Sequence, residues 1–516
     1  MTHGKPPGTA SAIGQDNLGA GPGIGAGPGI GTGPAIGTGK TVIICGAGLA
    51  GALLACSLAK LGYTVRLHER RGDPRAAGYS GGRSINLALS ARGLWALDGI
   101  GLKDEVLRHA LPMRGRIMHK AVAKPELVFQ PYSKDPADAI NSISRGGLNI
   151  ALLDAAEKHP GVDIVFNQRC VDVDLDTCTA TFVDDSQPEQ PPVTVAADLI
   201  VGADGAFSAV RGKMVKTDRF EYSQSYLAAG YKELHIPPTP AGEFALEPGA
   251  LHIWPRGSAM MIALPNPDKG FTCTLFWPFE GEHSFAAIRG RDDVLGFFSK
   301  HYPDAAPLMP TLVEDYTRNP VGSLVTVKCW PWVRFTDGGK AVALLGDACH
   351  AIVPFYGQGM NAAFEDVRTL GECLSRHAGE LRPALEEYQS LRKPNADAIA
   401  RMALENFVEM RDKVGTRGFL WRKHVEHFLH DLFPTRLVPR YNLVSFSTVP
   451  YVQALRAGIT FDRIILGLLL LPVLLVMLVL WALGVPAWLF VILAACGGVY
   501  LWARETASWS DGSPEP

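Results

Sequence analysis

Apolar residues occur along this chain in short runs that switch between strand and helix periods. TVIIC (Thr41–Cys45) is an unbroken apolar run, as expected of a parallel strand buried on both faces. GAGLAGALLACSLAKLG continues as a helix opened by a glycine turn, and YTVRLHER follows as a second strand, so this stretch predicts a βαβ unit. Two further runs, AADLIVGADG and AVALLGDA, end in glycine and aspartate turns leading toward helical segments. The three strand ends are expected to meet at one ligand. From about Tyr222 to Leu324, β-rich runs such as ALHIWP, AMMIALP and FTCTLFWPF alternate with Pro/Gly turns, the pattern of a smaller mixed sheet. From about Asp366 to Arg456 the Ala- and Leu-rich pattern predicts helices.

Both ends depart from this pattern. Ile464 to Ala503 is charge-free and apolar, interrupted only by Gly484, Val485 and Pro486. A bilayer core takes about 20 apolar residues per helix, so the run predicts a transmembrane hairpin. Arg456 and Arg463 before it and Arg504 after it place both outer ends in the cytoplasm. Met1 to Gly39 is Gly/Pro-rich with a loose repeat, buries little apolar area and is expected to be a disordered tail. The expected class is therefore α/β. A Rossmann-like nucleotide domain (40–115, 140–215 and 325–395) carries a mixed β-sheet substrate domain (116–139 and 216–324). A C-terminal helical region (396–460), the hairpin (464–503) and a short polar tail (504–516) follow.

Composition narrows the chemistry. With 516 residues and a formal charge of −2, the chain shows no basic footprint for nucleic acid. Nine scattered cysteines form no CxxC pair or Cys/His cluster at zinc spacing, so reduced thiols and no metal site are expected. Gly46, Gly48 and Gly51 form GxGxxG between strand and helix, where backbone N–H groups can approach a pyrophosphate. Glu69, at the end of the second strand, is placed to accept from a ribose hydroxyl, which favours an adenosine without a 2′-phosphate. Arg70 and Arg71 are either surface charges or neighbours of the adenine. Asp204 and Gly205 in GADG, and Gly346 and Asp347 in GDACHAIVPFYGQGMNAAFED, supply the other two strand ends.

This trio resembles the single-component FAD-dependent aromatic hydroxylases. The resemblance implies that Asp347 binds the ribityl chain, and that the loop around Gly357, Gly359, Met360 and Asn361 presents backbone N–H groups to the pyrimidine end of the flavin. GRSINLALS, LPMRGR, LHIWPR, FTCTLF and HAIVPFYGQGMNAAFED further resemble the kynurenine 3-monooxygenase family, from about Thr41 to Tyr451. That resemblance implies substrate contacts at Arg116, Tyr132, Asn406 and Tyr441, with Arg116 pairing the α-carboxylate of L-kynurenine. It also implies FAD contacts at Ala50, His68 to Arg71, Ala88, Arg145, Cys170, Ala209, Asp347, Met360 and Asn361. NADPH would dock transiently and reduce FAD, O2 would form a flavin C4a-hydroperoxide, and no protein nucleophile would take part. The product would be 3-hydroxykynurenine, in tryptophan catabolism and NAD biosynthesis. The family's anchor implies the mitochondrial outer membrane in a eukaryote or the cytoplasmic membrane in a bacterium. A squalene-epoxidase-like monooxygenase and a non-catalytic membrane-tethered flavin sensor stand as alternatives.

Overall fold

A computed structural model describes residues 35–76, 86–120, 127–409, 425–426, 428–434, 436–484 and 486. It comprises two compact units: residues 1–420 with 440–455, and 421–439 with 456–516.

In the first unit the apolar runs become the core strands of a six-stranded sheet. Its order is Val333–Phe335, Ala341–Leu344, Leu199–Gly202, Thr41–Cys45, Thr64–His68 and Val162–Val165. All pairs are parallel except the edge strand Val333–Phe335, which runs antiparallel. Val42 lies opposite both Leu199 and Val65, so the GxGxxG turn and the two Gly/Asp turns leave neighbouring strands at the same carboxyl edge. Helix Leu49–Lys60 buries every residue from Gly51 to Leu58, because it is packed on several sides, including against helices Arg145–Glu157 and Gly359–Arg376.

The second sheet has seven strands in the order Gly322–Trp330, Glu221–Ile236, Phe271–Pro278, Ala259–Pro265, Ala250–Arg256, Gly115–His119 and Leu127–Pro131. Its two faces differ in what covers them. Trp254, Phe271, Cys273 and Leu275 pack with Phe298, Tyr302 and Leu312 from helices Arg291–His301 and Leu312–Arg318 and the loop between them. Met118, Ile253, Met260 and Phe276 pack instead with Val353, Phe355 and Tyr356, the approach to the GQG loop. A small sheet of Asn86–Leu89, Ile140–Ser144 and Leu111–Met113 bridges the two domains.

Several expected boundaries shift. Residues 35–39, assigned to the tail, are ordered, since Ile36 packs on the core and Gly37 N–H donates to Leu61 O at 2.9 Å. Residues 1–34 of the expected tail lie outside the described residues. The division at 324 falls inside strand Gly322–Trp330, which completes the second sheet, and the division at 395 falls inside helix Leu381–Val408.

The expected transmembrane hairpin is not supported. Among the described residues no helix is long and apolar enough to cross a membrane. Helix Tyr451–Ala482 starts well before Ile464 and carries Arg456, Asp462 and Arg463. Residues 487–503, the hairpin's second arm, lie outside the described residues, as do 504–516. In the second unit, Phe461 and Ile465 pack with Leu429, while Leu466, Leu468, Leu475, Leu478 and Trp481 are exposed.

Candidate active site

Glycine geometry builds the first part of the site. At Gly46 the backbone has φ +103°, and an added Cβ would lie 2.6 Å from Ala203 O, so the GxGxxG turn sits directly against the GADG turn. A Cβ at Gly51 would lie 1.9 Å from Gly46 O, which holds the helix against its own entry turn. Gly48 differs: a Cβ there would meet nothing within 4 Å. Gly48 is also the N-cap of Leu49–Lys60, with no side-chain capping bond, and no acidic residue stands in the first turn. Free helix N–H groups facing open space make a pyrophosphate cradle.

Glu69 is 7% exposed; its carboxylate accepts from Ala47 N–H at 3.0 Å and from Arg71 N–H and Nε at 3.1 and 2.9 Å. It therefore braces the glycine turn while sitting at the edge where a ribose would lie. Asp204 accepts from Ala209 N–H at 2.7 Å, and its Oδ1 is buried without a partner; burial raises its pKa. Gly346, at φ +62°, brings the third turn so close that a Cβ would touch Ala363 and Ala50 at 3.1 and 3.6 Å. Asp347 is surrounded by protein yet keeps its side chain open to solvent, so it lines a cleft, and desolvation raises its pKa. Arg145 opens helix Arg145–Glu157, and its charge partly offsets the rise at Asp347.

Asn361 is fully buried. Its side chain donates to Ala88 O and Gly357 O at 2.8 and 2.9 Å and accepts from Ser90 N–H at 3.0 Å. It acts as a splint for the GQG loop, so contact with a flavin from this segment falls to the backbone of 357–361. Met360 packs on the core beside it.

Behind the loop lies a buried ion network. Arg92 Nη1 pairs with Glu365 at 2.9 Å, Glu365 with Arg392 at 2.9 Å, and Arg392 Nε with Asp366 at 2.6 Å. Asp366 also accepts from Gly346 N–H and pairs with His350. Burial alone would lower the His350 pKa, but the Asp366 carboxylate outweighs it and raises the value; Asp366 is lowered despite burial by His350 and Arg392. Cys349, His350 and Asp366 offer ligand atoms within 4.8 Å of one another. With Arg392 already bonded to the carboxylate, a cation there would meet a fixed positive charge. None of this network was singled out from the sequence; the adjacent acids of the FED motif were the available signal.

On the substrate side, strand alternation puts Arg116 on the face of Met118, toward the GQG loop. Its Nε donates to Gln130 Oε1 at 3.1 Å, and among the described residues no carboxylate pairs with it. Tyr132 and Tyr441 stack at 5.4 Å, with Tyr356 5.7 Å from Tyr441 and Phe446 6.2 Å from Tyr132. The Arg116 charge acts on both Tyr132 and Tyr441. Tyr132 is 6% exposed, and its hydroxyl is buried within reach of the Tyr441 hydroxyl. Ala88 packs in the same apolar cluster, which joins this pocket to the flavin loop. Asn406 donates to Phe355 O at 2.7 Å, beside the Phe355 and Phe407 pair.

Some expected contacts face elsewhere. The His68 ring stacks on Phe182 at 3.8 Å with both nitrogens buried and unpaired, so only its backbone, which accepts from Gly46 N–H, reaches the glycine turn. Arg70 and Arg71 are exposed at the strand end. Cys170 is half-buried and interacts with Cys45 at the end of the first strand.

The chain matches the FAD binding domain family over residues 40–261 and 325–403. It is 50% identical over 427 residues to a kynurenine 3-monooxygenase of Myxococcus xanthus, covering 82% of this chain and 90% of that protein. It is 47% identical over 438 residues to a kynurenine 3-monooxygenase of Dictyostelium discoideum, covering 83% and 92%. In fold it resembles 2-methyl-3-hydroxypyridine-5-carboxylic acid oxygenase, with TM-score 0.58 and 24% identity over 74% of this chain and 95% of that one. The open cradle at Gly48, the cleft carboxylate of Asp347 and the splinted GQG loop fit an FAD. With that cradle spanned by the matched segments and 47–50% identity over 82–83% of its length, the chain belongs to the kynurenine 3-monooxygenase family of FAD-dependent monooxygenases.

Proposed function

We propose that this chain hydroxylates L-kynurenine at C3: kynurenine, O2, NADPH and a proton give 3-hydroxykynurenine, NADP+ and water. The observation that carries the reading is the pocket itself. A guanidinium without a described carboxylate partner and two buried tyrosine hydroxyls, those of Tyr132 and Tyr441, stand in an aromatic enclosure that adjoins the flavin loop through Ala88.

An α-carboxylate suits Arg116, whose fork can pair it while Nε stays on Gln130. Burial pushes the phenol pKa of Tyr132 up, with Tyr441 adding to it, and Tyr441 is raised by burial too. Both therefore hold their protons at neutral pH and serve as donors to the substrate. The aniline ring would lie among Tyr132, Tyr441, Tyr356 and Phe446, where stacking orients it and water is excluded. Asn406, anchored on Phe355 O, closes one wall. When bound, FAD supplies the redox chemistry, accepting hydride from NADPH and delivering one oxygen atom of O2. Gly48, Ala50 and Ala209 would border its phosphates, Asp347 would accept from its ribityl hydroxyls, and the backbone of 357–361 would meet its pyrimidine edge.

The exposed leucines of the second unit, from Leu466 to Leu483, support contact with a lipid surface. In this reading the C-terminal segment holds the enzyme at a membrane, with the catalytic unit in the cytoplasm. Replacing Arg116 with Ala tests the substrate assignment: kynurenine binding should collapse while FAD stays bound. Unchanged kynurenine affinity would remove Arg116 from the site.

A further inference from the structure

The chain makes a second approach to the flavin loop from a direction that the proposed chemistry does not use. Gln358, between the two glycines of GQG, is 1% exposed and turned away from the cleft. Its Nε2 donates to Ser90 Oγ at 3.3 Å, and its Oε1 accepts from Tyr451 Oη at 2.8 Å. Tyr451 is fully buried, and its ring lies under the Arg92 guanidinium at 3.8 Å. Arg92 donates to the carbonyls of Leu443 and Val449 and pairs with Glu365, whose network runs through Arg392 and Asp366 to Gly346 N–H. Residues 443–451 are thus tied to both loops that would hold the isoalloxazine and the ribityl chain. They are tied to the pocket as well, since Tyr441 and Phe446 flank Tyr132.

The bond between Tyr451 and Gln358 is the narrowest part of this frame. Gly357, at φ +65°, crowds Ala88, where an added Cβ would lie 3.1 Å from the Ala88 Cβ. The loop has little slack on the cleft side. On the core side its side-chain hydrogen bonds among the described residues come from Asn361 and Gln358, and the shorter of the two that hold Gln358 is the one from the Tyr451 phenol.

We propose that Tyr451 is a positioning residue for the flavin loop: by fixing Gln358 it sets the conformation of Gly357–Asn361, and with it the fate of the oxygen taken up. In the productive direction one atom of O2 enters the substrate and the other leaves as water. In the unproductive direction NADPH, O2 and a proton yield NADP+ and hydrogen peroxide. A loop released from Tyr451 shifts turnover toward peroxide without touching the carboxylate contacts at Arg116. This rests on the hydroxylase reading for its kinetic readout alone; the loop's anchoring is measured independently of any substrate.

The test uses the full chain loaded with FAD, comparing the parent with Tyr451→Phe, Gln358→Leu and the double variant. Tyr451→Phe keeps the ring beneath Arg92 and removes only the hydroxyl. Hydrogen exchange of peptides covering 357–361 should quicken about tenfold, the order expected when one buried hydrogen bond is lost, while strand Thr179–Val183 stays unchanged. The visible spectrum of bound FAD should shift. The peroxide formed per NADPH should rise roughly two- to fivefold with KM for kynurenine within about twofold. The double variant should resemble Gln358→Leu alone, since that change already removes the Tyr451 bond together with the weaker one to Ser90. If Tyr451→Phe binds FAD poorly, Gln358→Leu cuts the same bond from the loop side. Parent-like exchange and spectrum in both variants would overturn the proposal. A parent that ignores kynurenine would overturn the hydroxylase reading and leave the exchange result to decide this one.

Discussion

Arg116 and Gly48 separate the two jobs of this site. Arg116→Ala should raise the KM for kynurenine on the order of 10- to 100-fold, the range for losing hydrogen bonds to a charged group, with FAD content unchanged; steady-state kinetics and the flavin-to-protein absorbance ratio check both halves. Gly48→Ala should leave the apo fold intact, because its Cβ meets only open space, yet weaken FAD binding where that space holds the pyrophosphate. Gly51→Ala should instead fail to fold normally, with a Cβ 1.9 Å from Gly46 O. FAD titration and thermal unfolding distinguish the three. Glycine spacing made the cradle legible in the sequence, because missing side chains are themselves the signal. The roles of Asn361 and Glu69 were less so. Their residue types suggested a ligand, while the fold also employs them as splints for Ala88, Ser90 and Ala47. Arg92 offered no signal, since its partners lie about 270 or more positions away, at Glu365, Leu443 and Val449.

At the scale of elements, buried apolar runs announced the parallel strands correctly because a strand covered on both faces has nothing polar to show. Boundaries were harder to read wherever an element serves two domains. Strand Gly322–Trp330 closes the second sheet although its sequence leads into the nucleotide domain, and helix Leu381–Val408 passes through Pro394. The ion network also lives at this scale, joining helices Ala91–Ile100, Gly359–Arg376 and Leu381–Val408. Arg392→Met should therefore destabilise strongly, by about 3–5 kcal/mol, since it leaves the Glu365 and Asp366 carboxylates buried with fewer partners. Denaturant unfolding of the apo protein checks this, and a loss under about 1 kcal/mol would mean the carboxylates find other partners.

For the whole molecule, pH should act on stability through buried histidines. Burial depresses the His68 pKa from 6.5 to about 4, so the unfolded chain binds a proton that the folded chain refuses between those values. Stability is then lost as pH falls from 6.5 toward 4. At pH 5 this amounts to about 2 kcal/mol from His68, and His68→Gln should recover that much of the drop between pH 7 and 5 in chemical unfolding. His350 has the opposite sign: its raised pKa gives a contribution fully present below 6.5 and lost as pH rises through the folded value, so it adds nothing to the acid limb. The exposed leucines beyond Leu466 should make the full chain float with liposomes, and truncation before Arg456 should abolish that flotation. The central claim, that this cradle and this pocket hydroxylate kynurenine, is tested most directly by one assay. NADPH oxidation by the FAD-loaded full chain is followed with and without L-kynurenine, and the product is weighed. The expected result is oxidation stimulated by kynurenine with a product heavier by one oxygen atom. Unstimulated oxidation, or stimulation that yields only hydrogen peroxide, would contradict it.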